Sequence, residues 1–132
     1  MVVDLKGKRE IQNFVELLAF STVSSFYPTA AMKYSKATSL EDVFDYLLRL
    51  VEEGELKLIW EVKCSNDELI CARKILTVDE KEKAIDEEVC CDVCGNSFSV
   101  SKYNIFPAFK ITQEYREIVR EDLKKKTRFA LG

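Results

Sequence analysis

The residues with the clearest capacity for chemistry are five cysteines, three of which lie together as Cys90, Cys91 and Cys94. The two-residue gap between Cys91 and Cys94 lets both thiolates reach one metal ion, and Gly95 permits the tight turn that follows. Five is an odd number, and such a cluster in a reducing compartment indicates metal or thiol chemistry more than disulfides. The spacing therefore predicts half of a thiolate metal site.

The other half of the site is expected around Cys64, at the tip of a predicted hairpin. The position three residues later holds Asp67 instead of a cysteine. Cys71 is the other candidate, because its side chain should share a face of the hairpin with that of Cys64. The predicted ligands are Cys64, Cys91, Cys94 and either Cys71 or Asp67. Without a metal, Cys64 and Cys71 are expected to serve as small core residues.

Residues 91–95 (CDVCG) resemble one knuckle of a zinc ribbon. The resemblance implies a structural zinc ion, because four protein ligands leave no open position for water. A thiol redox protein is the alternative. A thioredoxin-type site, however, places its Cys-x-x-Cys at the start of a helix, whereas a glycine and a polar stretch follow here. The pattern favours zinc.

The sequence lacks the residues that the common types of catalytic site require. The chain has no histidine, which removes Ser-His-Asp and Cys-His sites and the commonest general base. The four glycines stand far apart, so no phosphate-cradling loop exists. Carboxylate pairs such as Asp42/Asp45 are expected on solvated faces. We therefore expect a protein that is not an enzyme, with no small-molecule substrate evident.

The elements that position these residues follow from apolar periodicity, which predicts an α+β fold. Helical spacing extends over residues 9–26 and ends before Pro28, and residues 29–36 can form a short second helix. Residues 38–41 (TSLE) form a capping box for a third helix, with Thr38 as the cap. Gly54 stands where a left-handed C-cap is expected.

Beyond Gly54 the apolar period changes from helical to alternating. Residues 56–64 therefore predict a half-buried strand, with Trp60 on its apolar face. Residues 65–67 are typical of a turn, and residues 68–76 are expected to return as the second strand of a hairpin.

The remaining segments are shorter. Residues 77–88 are strongly charged and predict an exposed loop that can hold a helical turn. Residues 98–100 and 105–111 predict two more strands, and Pro107 indicates a sheet edge for the second. Thr112 can cap a last helix whose apolar stripe is Tyr115, Ile118, Val119 and Leu123.

The order helix, short helix, capped helix and hairpin is that of a winged helix-turn-helix domain, which residues 9–76 resemble. The resemblance implies a winged-helix-like part over residues 1–63. A zinc-ribbon-like antiparallel β segment is expected over residues 64–111. A C-terminal helix and basic tail are expected over residues 112–132.

The third helix decides which partner this fold is expected to take. In winged-helix regulators this helix enters the major groove of DNA. Its predicted solvent side here carries Glu41, Asp42, Asp45, Arg49, Glu52 and Glu53. DNA phosphates would repel so many carboxylates, and the net charge of the chain is −3. The pattern therefore favours a protein partner, with the chain as an adaptor or small subunit of a larger complex.

DNA binding by a transcriptional regulator is the alternative function. It would use basic residues of the second helix, the wing and the C-terminal tail, which are Lys33, Lys36, Lys57, Lys63, Arg73, Lys74, Lys124, Lys125, Lys126 and Arg128. The N-terminal residues show no signal-peptide pattern, and no apolar run approaches the length of a membrane span. We therefore expect a cytoplasmic protein without a membrane partner.

Overall fold

The computed structural model describes residues 5–37, 39–64, 71 and 73–131, with side chains as far as residue 123. This part of the chain holds four helices, α1 (Leu5–Phe20), α2 (Pro28–Ser35), α3 (Leu40–Glu52) and α4 (Gln113–Leu131). It also holds six strands, β1 (Ser25–Phe26), β2 (Leu56–Lys63), β3 (Lys74–Val78), β4 (Glu88–Cys90), β5 (Ser97–Ser99) and β6 (Ile105–Ile111). A 3₁₀ turn covers Lys81–Lys83 in the charged segment, as expected. The predicted α+β class is confirmed.

Four strands form one sheet in the order β1, β6, β2, β3, and β4 pairs with β5 in a separate hairpin. The pairs β1–β6, β2–β3 and β4–β5 are antiparallel. The prediction that Pro107 marks a sheet edge is wrong, because β6 has a neighbouring strand on each side. The proline is tolerated because β1 lies opposite only Phe109 and Lys110, beyond the proline.

The chain divides into two compact units. Unit 1 comprises Met1–Lys57 and Phe109–Gly132, and unit 2 comprises Leu58–Ala108. All four helices fall in unit 1, and all five cysteines fall in unit 2. The domain boundaries expected after residues 63 and 111 stay a prediction.

Helix α1 ends at Phe20, so the prediction of a helix through residue 26 is wrong. The backbone N–H and the hydroxyl of Ser21 both donate to the carbonyl of Leu18, at 3.0 and 2.8 Å, and this tightens the last turn. Phe26 belongs instead to β1, opposite Phe109. The apolar spacing in the sequence continues past the end of the helix because Phe26 is also a buried residue, although it belongs to a strand.

The core of unit 1 is centred on Phe109, which is fully buried. Its ring lies 5.9 Å from that of Phe26 and 5.5 Å from that of Phe44, measured between centroids. The helices contribute further buried residues, among them Ile11, Val15, Ala19, Ala31, Val43, Leu47 and Leu50. Strand β6 and helix α3 thus supply adjoining parts of one aromatic core.

Both ends of α3 follow from local sequence. The cap at its start is Ser39, whose hydroxyl oxygen accepts the N–H of Asp42 at 3.2 Å, so the predicted capping residue was one position too early. At the other end Gly54 has a φ of 85°. The N–H groups of Gly54 and Glu55 bond the carbonyls of Val51 and Leu50, at 3.1 and 3.0 Å. This is a Schellman motif, and the expected C-cap is confirmed.

Strand β2 is buried on both faces, which corrects the expected alternation. Alternation places Ile59 and Glu61 on the face opposite that of Trp60, yet both are buried, and so is Val62. The Lys74 ammonium lies 3.9 Å from the Glu61 carboxylate. Such an ion pair offsets part of the desolvation cost of burying the carboxylate. Trp60 lies on the apolar side, as predicted. It packs against the core of unit 2, which is formed by Val62, Ala84, Val100 and Ile105.

The hairpin that begins with β2 returns through β3, which confirms its second strand at residues 74–76. The expected turn at residues 65–67 and the expected start of the return at residues 68–70 lie outside the described residues.

Helix α4 begins as predicted, because the Thr112 hydroxyl oxygen accepts the N–H of Tyr115 at 3.2 Å. The expected apolar stripe holds only in part: Val119 is buried, whereas Ile118 and Leu123 are 56% and 49% exposed. No helix in the described ranges combines the length and the apolar character needed to cross a membrane.

Candidate metal centre

The Cys-x-x-Cys segment forms a tight turn between β4 and β5. The Cys91 N–H donates to the Asn96 carbonyl, and the Gly95 N–H donates to the Cys91 carbonyl, both at 2.9 Å. Gly95 has a φ of 75°, which side chains other than that of glycine adopt rarely. The predicted turn is therefore present. Strand β4 was not predicted, because its three residues carry no periodic signal.

The second pair of cysteines lies at the ends of the hairpin strands. Cys64 directly follows β2, and its N–H donates to the Arg73 carbonyl at 2.9 Å. Cys71 lies just before β3. The Arg73 guanidinium also contacts the carboxylate of Asp92 at 3.1 Å, and Asp92 belongs to the Cys-x-x-Cys turn. This exposed ion pair joins the two segments that carry the cysteines.

The four sulfur atoms come together as one cluster. The Sγ atoms of Cys64, Cys71, Cys91 and Cys94 all lie within 4.8 Å of one another. Cys64 Sγ is 3.4 Å from Cys94 Sγ, and Cys71 Sγ is 3.8 Å from Cys91 Sγ. Both distances exceed the about 2.05 Å of a disulfide bond. These four cysteines could hold a metal ion.

Two of the sulfur separations have the size expected for the edges of a tetrahedral thiolate site. A Zn–S distance of about 2.3 Å gives a tetrahedron of thiolates whose edges measure about 3.8 Å. The two measured contacts lie close to that edge length. A tetrahedral all-sulfur donor set suits zinc or iron and does not suit magnesium or calcium.

The burial of the four cysteines indicates a closed site. Cys64 and Cys91 are buried, whereas Cys71 and Cys94 are partly buried. With four protein ligands, a tetrahedral ion would have no position for water or substrate. The arrangement thus suits cross-linking of two chain segments and does not suit Lewis-acid catalysis.

The two remaining sequence candidates differ in outcome. Asp67, the alternative fourth ligand, lies outside the described residues. Cys90 is exposed and does not belong to the cluster of four. Its Sγ instead lies 3.8 Å from the Cys91 carbonyl oxygen and 3.7 Å from that of Gly95.

The basic residues considered for DNA binding are distributed over both units. In unit 1, Lys33, Lys36 and Lys57 are exposed. In unit 2, the Lys63 ammonium lies 5.3 Å from the centre of the Phe106 ring. Arg73 and Lys74 of the same unit contact carboxylates, as described above. The side chains of Lys124, Lys125, Lys126 and Arg128 lie outside the described residues.

The solvent side of α3 is acidic, as predicted. Glu41, Asp45, Arg49, Glu52 and Glu53 are exposed, and Asp42 is partly buried. This face therefore presents carboxylates to solvent.

Sequence reasoning missed a polar cluster in unit 1, around Gln12. The Gln12 amide nitrogen donates to the Glu55 carboxylate at 3.2 Å and lies 3.0 Å from the Tyr115 hydroxyl. Burial raises the pKa of Glu55 above its ordinary value, and burial also raises the pKa of Tyr115, to about 12. No short motif marks these residues, because they come from three distant parts of the chain.

Comparison with protein-family models, with curated protein sequences and with solved structures finds no match to this chain. The winged-helix and zinc-ribbon resemblances therefore stay predictions. The cysteine cluster rests on its own geometry, which makes it the candidate functional site of the protein.

Proposed function

We propose that this protein is a non-catalytic protein-binding module, an adaptor or small subunit, whose unit 2 is held in shape by one structural zinc ion. The proposed ligands are Cys64, Cys71, Cys91 and Cys94. The observation that carries the proposal is the convergence of their four sulfurs within 4.8 Å.

A structural role for zinc is supported by the size of the core of unit 2. Among the described residues, one cluster of buried hydrophobic side chains in this unit comprises Val62, Ala84, Val100 and Ile105, with partly buried residues around them. Domains this small need a staple such as a metal or disulfides, because their core alone supplies little stability. A bound zinc ion would supply a cross-link between the hairpin and the Cys-x-x-Cys turn, and its binding free energy would add to folding.

A protein partner is favoured over DNA by charge. Unit 2 contains six Lys/Arg and ten Asp/Glu residues. In unit 1, α3 and its C-terminal cap Glu53 expose four carboxylates and one guanidinium. Both surfaces would repel a phosphate backbone, whereas exposed aromatic side chains such as Tyr103, which is 76% exposed, are frequent in protein interfaces.

The metal part of the proposal is tested by the zinc content of protein purified without chelator. We expect one zinc ion per chain in the wild type and in Cys90→Ser, because Cys90 is outside the cluster. Cys91→Ser is expected to lose the zinc, because it removes a buried ligand. The matched pair compares two neighbouring cysteines with opposite predicted roles. Metal-free wild type, iron in place of zinc, or equal losses in the two variants would each contradict the proposal.

The same preparation tests the choice of partner. Titration into fluorescent duplex DNA at several salt concentrations is expected to give no change in anisotropy. Submicromolar binding that weakens steeply with salt would overturn the protein-partner proposal, because it would show that the basic groups converge on phosphates.

A further inference from the structure

The four sulfurs of the metal centre form two contacting pairs. Cys64 Sγ and Cys94 Sγ lie 3.4 Å apart, and Cys71 Sγ and Cys91 Sγ lie 3.8 Å apart. Each pair joins a cysteine of the hairpin to a cysteine of the Cys-x-x-Cys turn. Formation of a disulfide would require the sulfurs of a pair to approach to about 2.05 Å, which is a movement of less than about 2 Å.

Each pair combines one partly buried and one buried cysteine. Cys94 and Cys71 are partly buried, whereas their partners Cys64 and Cys91 are buried. We expect an oxidant from solvent to reach the partly buried cysteine of each pair first. The buried partner then stands within reach of the oxidised sulfur, which is the arrangement of a reactive and a resolving thiol.

We propose that hydroperoxides convert this cluster into two specific disulfides, Cys64–Cys94 and Cys71–Cys91, so that the metal centre is also a redox-sensitive site. As a statement about regulation of the metal centre, the inference rests on the proposed function. It goes beyond that function because it assigns the site an oxidant class and a connectivity.

The chemistry balances within each pair. The thiolate of the partly buried cysteine attacks the terminal oxygen of the hydroperoxide, which breaks the O–O bond, forms a sulfenic acid and releases hydroxide from hydrogen peroxide or an alkoxide from an organic hydroperoxide. The thiolate of the buried cysteine then attacks the sulfenic sulfur, forms the S–S bond and releases hydroxide. Two sulfurs are oxidised by two electrons in total, and one peroxide is reduced.

Oxidation and metal binding exclude each other in this cluster. A cysteine binds zinc as its thiolate and not as a disulfide, so each disulfide removes two of the four donors. A dithiol reductant restores the thiolates by exchange, which makes the change reversible. Cys90 stands apart, since its Sγ contacts backbone carbonyls and is not one of the four clustered sulfurs.

The test uses the full chain, purified in reducing buffer, with its metal content measured first. Hydrogen peroxide is added, remaining thiols are alkylated, and the disulfides are mapped by mass spectrometry of peptides. A chromogenic chelator follows released zinc in parallel. We expect the two named disulfides, zinc release with the same time course, and the same rates in Cys90→Ser. Dithiothreitol with added zinc is expected to restore one ion per chain.

The outcomes separate the two proposals. A Cys91–Cys94 or Cys90–Cys91 disulfide as the main product, or sulfinic acids without disulfides, overturns this inference while leaving structural zinc intact. A chain that holds no metal before oxidation overturns the proposed function, and the disulfide map then still tests the pairing. The wild-type chain supplies the deciding map, so the result does not depend on whether a cysteine variant folds.

Discussion

Glu55 is a carboxylate whose environment differs from that of the protein surface. One of its oxygens accepts the Gln12 amide at 3.2 Å, whereas the other, Oε2, is buried without a hydrogen-bond partner among the described atoms. Burial is the largest cause of its raised pKa, and the Gln12 hydrogen bond acts in the opposite direction. The folded protein therefore binds the proton of this side chain more tightly than the unfolded chain does.

The raised pKa of Glu55 predicts a pH dependence of stability. Because the folded state binds this proton more tightly than the unfolded state, the free energy of unfolding falls as pH rises from the unfolded pKa through the folded pKa. Glu55→Gln should remove this contribution, so the variant should gain stability relative to wild type between about pH 4 and about pH 7. Urea unfolding at the two pH values measures the difference.

A nearby carboxylate serves as the control for Glu55. Glu52 lies in the last turn of α3 and is exposed, so Glu52→Gln should leave the pH dependence of wild type in place. If Glu55→Gln follows the pH profile of wild type as closely as Glu52→Gln does, burial does not hold the Glu55 proton.

The positions of the cysteines in the sequence predicted part of the metal centre. Only two residues separate Cys91 from Cys94, so the sequence alone predicts that their thiolates can reach the same metal ion. The contribution of Cys71 depends on a hairpin register, and β2 and β3 shift register between Val62 and Lys63. Sequence therefore left Cys71 and Asp67 as alternatives. The structure places the Cys71 sulfur within the cluster, and Asp67 lies outside the described residues.

Among the elements, α1 depends on a residue of α4. Arg116 of α4 is buried, and its guanidinium donates to the carbonyls of Leu18 and Ala19, each at 3.3 Å. It also donates to the carbonyls of Ser21 and, at 2.6 Å, Val23. The last carbonyls of a helix lack partners within the helix, and a cation there also suits the helix dipole. Arg116 thus caps the end of α1 from the other end of the chain.

Removal of this cap should destabilise unit 1. Arg116→Ala removes hydrogen bonds to four backbone carbonyls, and we expect a loss of about 3 kcal/mol, since hydrogen bonds to charged groups are among the strongest. Arg116→Lys keeps the charge but cannot reach as many carbonyls, so its loss should be smaller. Urea unfolding followed by circular dichroism measures both.

The control for Arg116 lies one turn further along α4. Arg120 is exposed, and Arg120→Ala should change the free energy of unfolding by no more than about 0.5 kcal/mol. Equal effects at the two positions would show that the loss comes from the charge of α4 and not from the cap.

Long-range contacts of this kind explain which elements the sequence could predict. Helix α3 was predicted well because Gly54 and the residues before Leu40 specify its ends locally. The end of α1 was predicted six residues too late, because Arg116 and the pairing of Phe26 with Phe109 come from distant parts of the chain. The prediction that Ile118 belongs to a buried stripe of α4 was wrong for a similar reason. Periodicity in the sequence does not show which face of a helix packs against a neighbouring element.

At the scale of the whole molecule, the two units carry different spectroscopic reporters. The one tryptophan, Trp60, packs in the core of unit 2. The four helices described above all belong to unit 1, so far-UV circular dichroism follows that unit. The proposed zinc ion binds only to residues of unit 2. A change that acts through the metal should therefore alter tryptophan fluorescence first.

These reporters make metal removal a test of both the site and the division of the chain. Excess chelator in reducing buffer should shift the emission of Trp60 to the red, because unit 2 loses its cross-link and exposes its core. The helical signal at 222 nm should remain, since the core around Phe109 contains no proposed ligand. Readdition of zinc should reverse the shift, whereas magnesium, which prefers oxygen ligands, should not. A parallel loss of fluorescence and helix would show that the metal stabilises the chain as one cooperative unit, and an unchanged Trp60 spectrum would show that the cysteines hold no structural metal.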